Sequence, residues 1–131
     1  MRVLIIGAGA SGMMAALTAA RAGHEAVLFE RQARVGRKLA ATGNGRCNIT
    51  NTGASVVHYH GEDPGFAAPA LEYMPVTDTL ALFRGIGLLT REEYGGRVYP
   101  LSNSANSVTD ALRFALEAEG VDVPCVVEVC I

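Results

Sequence analysis

Six consecutive residues, Gly7-Ala8-Gly9-Ala10-Ser11-Gly12, restrict what this chain can fold into more than any other stretch. They follow a short apolar run, Arg2-Val3-Leu4-Ile5-Ile6, whose β-branched residues and lack of alternation predict a strand buried on both faces of a parallel sheet. After them, Met13, Ala16, Leu17 and Ala20 recur at helical spacing over residues 12–21, and Gly23 offers a left-handed stop. Residues 25–30 return to strand character, with Val27, Leu28 and Phe29 ahead of a carboxylate, Glu30. Strand, glycine turn, helix and strand within about 30 residues have the size of one right-handed βαβ unit, so the predicted class is α/β with a Rossmann-like fold.

The glycines of such a turn have separate duties. Gly7 permits the tight bend, Gly9 lets backbone come close to a pyrophosphate, and Gly12 lets the helix pack against the strand. The unpaired amides of Gly9, Ala10 and Ser11, at the positive end of the helix dipole, then favour a diphosphate. Glu30, followed by Arg31, stands where ribose hydroxyls need an acceptor, and its charge repels a 2′-phosphate, which disfavours an NADP-type ligand here. FAD and NAD share the ADP moiety, so this fingerprint alone does not choose between them.

Composition narrows the partners. A chain of 131 residues holds one domain with one modest core. With half of its residues hydrophobic and a net charge of −2, it has no electrostatic reason to seek nucleic acid or an anionic membrane. No stretch approaches the roughly 20 apolar residues of a membrane span. Cys47, Cys125 and Cys130 fit neither a disulfide scaffold nor a zinc site, which makes a reducing cytoplasm the simpler location.

Periodicity is weak over residues 31–74, and Gly, Asn and Thr crowd residues 42–48, as in a ligand loop. Residues 77–84 read as a short helix with Leu80 and Phe83 inward and Gly85 as its stop. Residues 88–90 and 97–99 flank Gly95-Gly96 as a small β-hairpin. Residues 107–119 form a second clear helix, with Val108, Ala111, Leu112 and Ala115 as its stripe, Ser107 and Asp110 as a capping box, and Gly120 beyond it. Residues 126–131 read as the third strand of the parallel sheet, in the partial order 3-2-1. His58-Tyr59-His60 lacks a spaced third ligand and reads as surface loop, and Cys47 has no second cysteine nearby with which to act as a redox pair.

The run Gly36-Arg37-Lys38-Leu39-Ala40-Ala41-Thr42-Gly43-Asn44-Gly45-Arg46-Cys47-Asn48-Ile49-Thr50-Asn51 resembles the HI0933-like family of flavoproteins, as does Gly96-Arg97-Val98-Tyr99-Pro100-Leu101-Ser102 with the helix after it. The resemblance covers nearly the whole chain. It implies FAD, held through the glycine turn and Glu30, with Lys38, Thr42, Gly43, Asn44, Gly45, Arg46, Cys47 and Asn48 along the flavin side of the cofactor. In that position Lys38 and Arg46 offset phosphate charge or stabilise a reduced anionic flavin. Val129 matches a valine that lies near the adenine in related flavoproteins. Also implied are oxidoreductase activity on a small organic substrate, in some members reduction of carbon–carbon double bonds, and NAD(P)H as a possible electron donor. No catalytic acid or base is assigned, since the flavin itself performs hydride chemistry. Two competing readings are a non-catalytic nucleotide-binding fragment and an NAD-dependent dehydrogenase, for which residues 36–51 have no evident use.

Family members are longer. The expectation is that this chain is the N-terminal part of a FAD-binding domain, without the later strands or the substrate domain. That leaves the first strand at a sheet edge, an invitation to self-association and a reason to expect weak flavin binding.

Overall fold

The computed structural model describes residues 1–130. Strand β1 (Arg2–Ile6), helix α1 (Ala10–Arg21) and strand β2 (Glu25–Phe29) make the expected βαβ unit. The strands pair in parallel from Arg2↔Glu25 to Ile6↔Phe29. Helix α1 begins two residues before the periodic segment suggested, directly after Gly9. It buries Met13, Ala16 and Leu17, and Gly23 follows at φ +81°.

The third line of the sheet lies beside β2, giving the 3-2-1 order, but not at residues 126–131. Val27 bridges Asp122 and Glu30 bridges Cys125, both in parallel. Leu28 N donates to Asp122 O at 2.8 Å and Glu30 N to Pro124 O at 3.0 Å. Gly120, at φ +70°, ends the preceding helix so abruptly that Val121 is already buried and the chain enters the sheet at once. Pro124 has no N–H to give, which limits the pairing to isolated bridges rather than a continuous strand. Val126 then bends at φ +60°, while its amide donates to Gln32 O at 3.2 Å and that of Val127 to Glu30 O at 3.0 Å. Ile131, the last residue of the expected strand, lies outside the described residues.

Burial on both faces of β1 is also not what the structure shows. Ile5 belongs to the core beneath α1, whereas Leu4 and Ile6, pointing the other way, are 61% and 57% exposed. Among the described residues only one helical layer covers this sheet.

Within residues 31–74 the chain forms two short helices, α2 (Arg37–Ala41) and α3 (Ala68–Tyr73), together with 3-10 turns at Thr42–Gly45, Val56–His58 and Pro64–Ala67. Helix α4 (Val76–Gly85) contains Gly85 rather than stopping on it. The left-handed residue is Gly87, at φ +87°. Strands β4 (Thr90–Glu93) and β5 (Arg97–Pro100) form the expected hairpin, with its first strand beginning at Thr90, the last residue of the expected 88–90 segment. A two-residue strand, β3 (Thr50–Asn51), adds to its far side in the order β3-β5-β4.

Helix α5 (Ala105–Ala118) packs beside α1 and buries Val108, Leu112, Ala115 and Leu116. Its N-cap is Ser104, with no side-chain capping bond, so the expected capping box is absent. Ser107 sits inside the first turn and accepts a hydrogen bond from the Ser102 hydroxyl at 2.7 Å, and Asp110 faces Arg113.

The packing of α1 on β1 depends on Gly12. A Cβ there would stand 1.9 Å from the carbonyl oxygen of Gly7 and 3.5 Å from Leu28. Backbone cannot give way as a flexible side chain can. Gly12→Ala should therefore cost at least the roughly 1–3 kcal/mol typical of an overpacked core. Urea denaturation measures this, and a wild-type midpoint would contradict the packing described.

Candidate cofactor site

The site begins where β1 ends. Gly7, at φ +96°, sends the chain back while its amide donates to Phe29 O at 2.8 Å. Ala8 is buried, its amide donates to Glu30 Oε2 at 2.8 Å, and its carbonyl accepts from Gly36 N at 2.8 Å. The second oxygen of Glu30 accepts from Gln32 N at 2.7 Å. Thus the carboxylate at the end of β2 holds both the glycine turn and the loop that follows it.

Gly9 caps α1 in an extended conformation, and an ideal Cβ built on it meets nothing within 4 Å. The first bond closing the helix runs from Met13 N to Gly9 O at 3.0 Å. The amides of Ala10, Ser11 and Gly12 therefore have no acceptor within the helix. No side chain caps this end, and no acid lies in its first turn. Open space beside unpartnered amides at a helix N-terminus suits a diphosphate.

Around this mouth runs a groove of about 1190 Å³. Of the residues expected at the cofactor, Gly7, Gly9, Ala10, Ser11, Glu30, Arg31, Lys38, Thr42, Cys47, Asn48 and Val129 line it. Gly12 does not, because it is buried against Gly7, as its packing duty requires. Gly43, Asn44, Gly45 and Arg46 are also outside the lining. Here the loop swings outward through left-handed backbone, with φ of +56°, +55° and +81° at Gly43, Asn44 and Gly45. Arg46 is drawn to the opposite side, toward the antiparallel sheet, where it meets Glu93 and Asn103 and stacks on Tyr99.

Sequence reasoning missed the apolar end of the groove, formed by Ile49, Phe83, Val108 and Leu112, and also Val127 and Glu128 next to Val129. Phe83, Val108 and Leu112 are inward residues of amphipathic helices, and nothing in their spacing separates a core contact from a groove wall. Three cations, Arg31, Arg37 and Lys38, stand against the carboxylates Glu30 and Glu128 in the lining. Arg37 donates to Gln32 Oε1 at 2.7 Å.

With this geometry in place, comparison with known proteins decides the relationship: residues 1–130 match the HI0933-like protein Rossmann domain. The chain belongs to the HI0933-like family. This HI0933-like chain is 44% identical over 124 residues to 3-dehydro-bile acid delta(4,6)-reductase of Clostridium scindens, covering 93% of the chain and 30% of that protein. It is 28% identical over 120 residues to the ribosomal RNA dihydrouridine synthase of Haemophilus influenzae, covering 92% of the chain and again 30% of the relative. The chain thus spans about 30% of the length of these curated relatives. Among solved structures it resembles Thermovibrio ammonificans THI4, with a TM-score of 0.62 at 19% identity, over 95% of this chain and 38% of that one. The last likeness is one of fold.

The same cluster that holds Arg46 has a defined pH response. The hydrogen bond from Arg46, reinforced by the charges of Arg46 and Arg91, holds the Glu93 carboxyl below its ordinary value of 4.5, against an opposing effect of partial burial. A lowered folded value means that the contribution is present above the unfolded value and lost as pH falls through the folded one. The Arg46–Glu93 pair should accordingly stay intact from neutral pH down past 4.5 and part only below it. A carboxyl-carbon NMR titration of Glu93 tests this, and a midpoint at or above 4.5 would contradict the pairing.

Proposed function

We propose that this chain binds the ADP half of FAD and forms the N-terminal part of a flavin-dependent oxidoreductase, acting on a small organic substrate by hydride transfer. One observation carries the reading. The uncapped, acid-free start of α1 opens onto a groove whose rim holds Glu30.

The residues divide the work as follows. The amides of Gly9, Ala10 and Ser11, with the helix dipole, receive the diphosphate. Each oxygen of Glu30 already accepts one backbone amide, from Ala8 or Gln32. A carboxylate has about four lone-pair sites, so it retains acceptors for ribose hydroxyls while its existing bonds fix its direction. The same charge opposes a 2′-phosphate. Lys38 and Arg31 on the groove wall offset the diphosphate charge, Val129 flanks the adenine, and Thr42, Cys47 and Asn48 form the wall toward the flavin. FAD, when bound, supplies hydride transfer, and this chain's part is to bind and orient it.

The names of the two curated relatives share a type of reaction: saturation of a carbon–carbon double bond, in a bile acid derivative and in a ribosomal uridine. For this chain we favour the small-molecule branch, with NAD(P)H as the electron donor. The identity to the Clostridium relative is higher, and the net charge is −2. A ribosomal RNA substrate is the second reading, favoured by the shared name of the Haemophilus relative and of an Escherichia coli relative 33% identical over 109 residues. No helix among the described residues is long and apolar enough to cross a membrane, and the cytoplasm is the location we propose. The open backbone edge of β1 and the uncovered sheet face at Leu4 and Ile6 favour association, with further elements of a longer protein or with a second copy.

Titration with FAD, followed by quenching of flavin fluorescence, tests the proposal. ADP should compete, NADP⁺ should not, and any flavin co-purified under mild conditions should show its visible absorbance bands. Gly9→Ala keeps an allowed backbone, so stability should stay within about 0.5 kcal/mol while FAD affinity falls at least about tenfold. Absence of quenching would remove FAD as the ligand, and competition by NADP⁺ as strong as by ADP would remove the ribose role given to Glu30. To separate the substrate branches, reduced flavin is offered an α,β-unsaturated ketone and, in parallel, a uridine-containing RNA. Reoxidation by the RNA alone would overturn the small-molecule reading.

A further inference from the structure

The basic residue of the glycine-rich loop has a use other than ligand contact. Arg46 is partly buried, and its guanidinium is engaged by the antiparallel sheet and the turn that follows it. Its Nε donates to Asn103 Oδ1 in the turn after β5, Nη2 donates to Glu93 Oε1 on β4, and the plane lies 4.0 Å from the centre of the Tyr99 ring on β5. Arg91 braces the same acceptors, at 2.8 Å from Glu93 and 3.3 Å from Asn103.

The loop needs such an anchor. Gly43, Asn44, Gly45 and Cys47 all have left-handed φ values, and two of these residues carry side chains that resist this conformation. Local propensity does not hold a segment of this kind, so outside contacts must. The Tyr99 ring also lies beside Gly43, where an added Cβ would be 3.6 Å from the ring and 3.2 Å from Asn48 N. The other side of the same loop, at Thr42, Cys47 and Asn48, lines the groove.

We propose that Arg46 is a positioning residue that locks the 42–48 loop to the antiparallel sheet through Glu93, Asn103 and Tyr99, and so sets the groove wall at Thr42, Cys47 and Asn48. The antiparallel sheet thereby becomes part of the ligand site although it contributes no residue to the groove lining.

A direct role and a positioning role predict opposite signs. If Arg46 served the cofactor's charge, Glu93→Gln would free it, and affinity for FAD would stay or rise. As a positioning device it depends on Glu93, so Glu93→Gln must weaken the site. A readout that needs no cofactor is the alkylation rate of Cys47 by iodoacetamide, measured in a Cys125→Ser, Cys130→Ser background. This thiol is only 6% exposed.

In that background Glu93→Gln and Arg46→Met should each speed alkylation at least about tenfold, the scale of one charge-assisted hydrogen bond, with circular dichroism unchanged. Arg46→Lys, which keeps the charge without the planar fork, should fall between. Should Glu93→Gln lose its fold, Asn103→Gly provides the milder variant, since glycine keeps the left-handed backbone at φ +58° while removing the acceptor of Nε. In FAD titration the same variants should bind more weakly than wild type. The FAD arm rests on the function proposed above, whereas the thiol arm does not. Wild-type alkylation rates in Glu93→Gln and Asn103→Gly, or tighter FAD binding by Glu93→Gln, would overturn the assignment.

Discussion

The close approach of backbone at Gly7 and Gly12 is the contact on which the rest of this structure depends. Because no Cβ separates them, α1 starts directly above the end of β1, and its first amides open outward at the turn rather than being spent on the strand. The parallel register Ile6↔Phe29 then places Glu30 one residue beyond the last pair, within reach of the Ala8 amide. The proposed diphosphate mouth and the proposed ribose acceptor are thus positioned by one steric condition and one strand register. The bonds from Glu30 to Ala8 and Gln32 join them into a unit that is organised before a ligand arrives.

The remainder of the site comes from elements distant in sequence. Helix α2 follows Gly36, whose amide is tied to Ala8 O, so it presents Lys38 near the turn. Val108 and Leu112 of α5 serve both the core and the groove, which couples the site to the packing of α1 against α5. Beyond α2 the loop runs over the antiparallel sheet and is held there by Arg46. The βαβ unit, α2 and α5 therefore meet at one concavity, a common arrangement for nucleotide ligands in α/β proteins, while the small sheet backs its loop wall without entering the lining.

Much of this was legible in the sequence where a periodic pattern and a conformational demand coincide. The apolar run before Gly7, the spacing of Met13, Ala16 and Leu17, and the acid at Glu30 mark the βαβ unit and its end of the groove. The hairpin around Gly95-Gly96 and the stripe of α5 read equally well. Helix α2 did not, since five residues show no periodicity, and β3 exists only because its two residues pair with β5. The third line of the sheet was displaced because the valines of residues 126–129 look like a strand, while the actual bridges flank Pro124. Exposure of Leu4 and Ile6 depends on what covers the sheet, which a strand's own residues do not report. A cation in a glycine-rich loop carries the same sequence signature whether it meets a phosphate or a carboxylate. The partner of Arg46 lies 47 residues away, and only the fold brings it close.

The most direct measurement of the central claim is an amide NMR titration of the isotope-labelled chain with ADP, which contains the diphosphate and ribose without the flavin. The largest shifts should fall on Gly9, Ala10 and Ser11, with a second group at Ala8 and Gln32 through their bonds to Glu30. Saturating shifts confined to residues outside the groove, with the start of α1 unmoved, would contradict it.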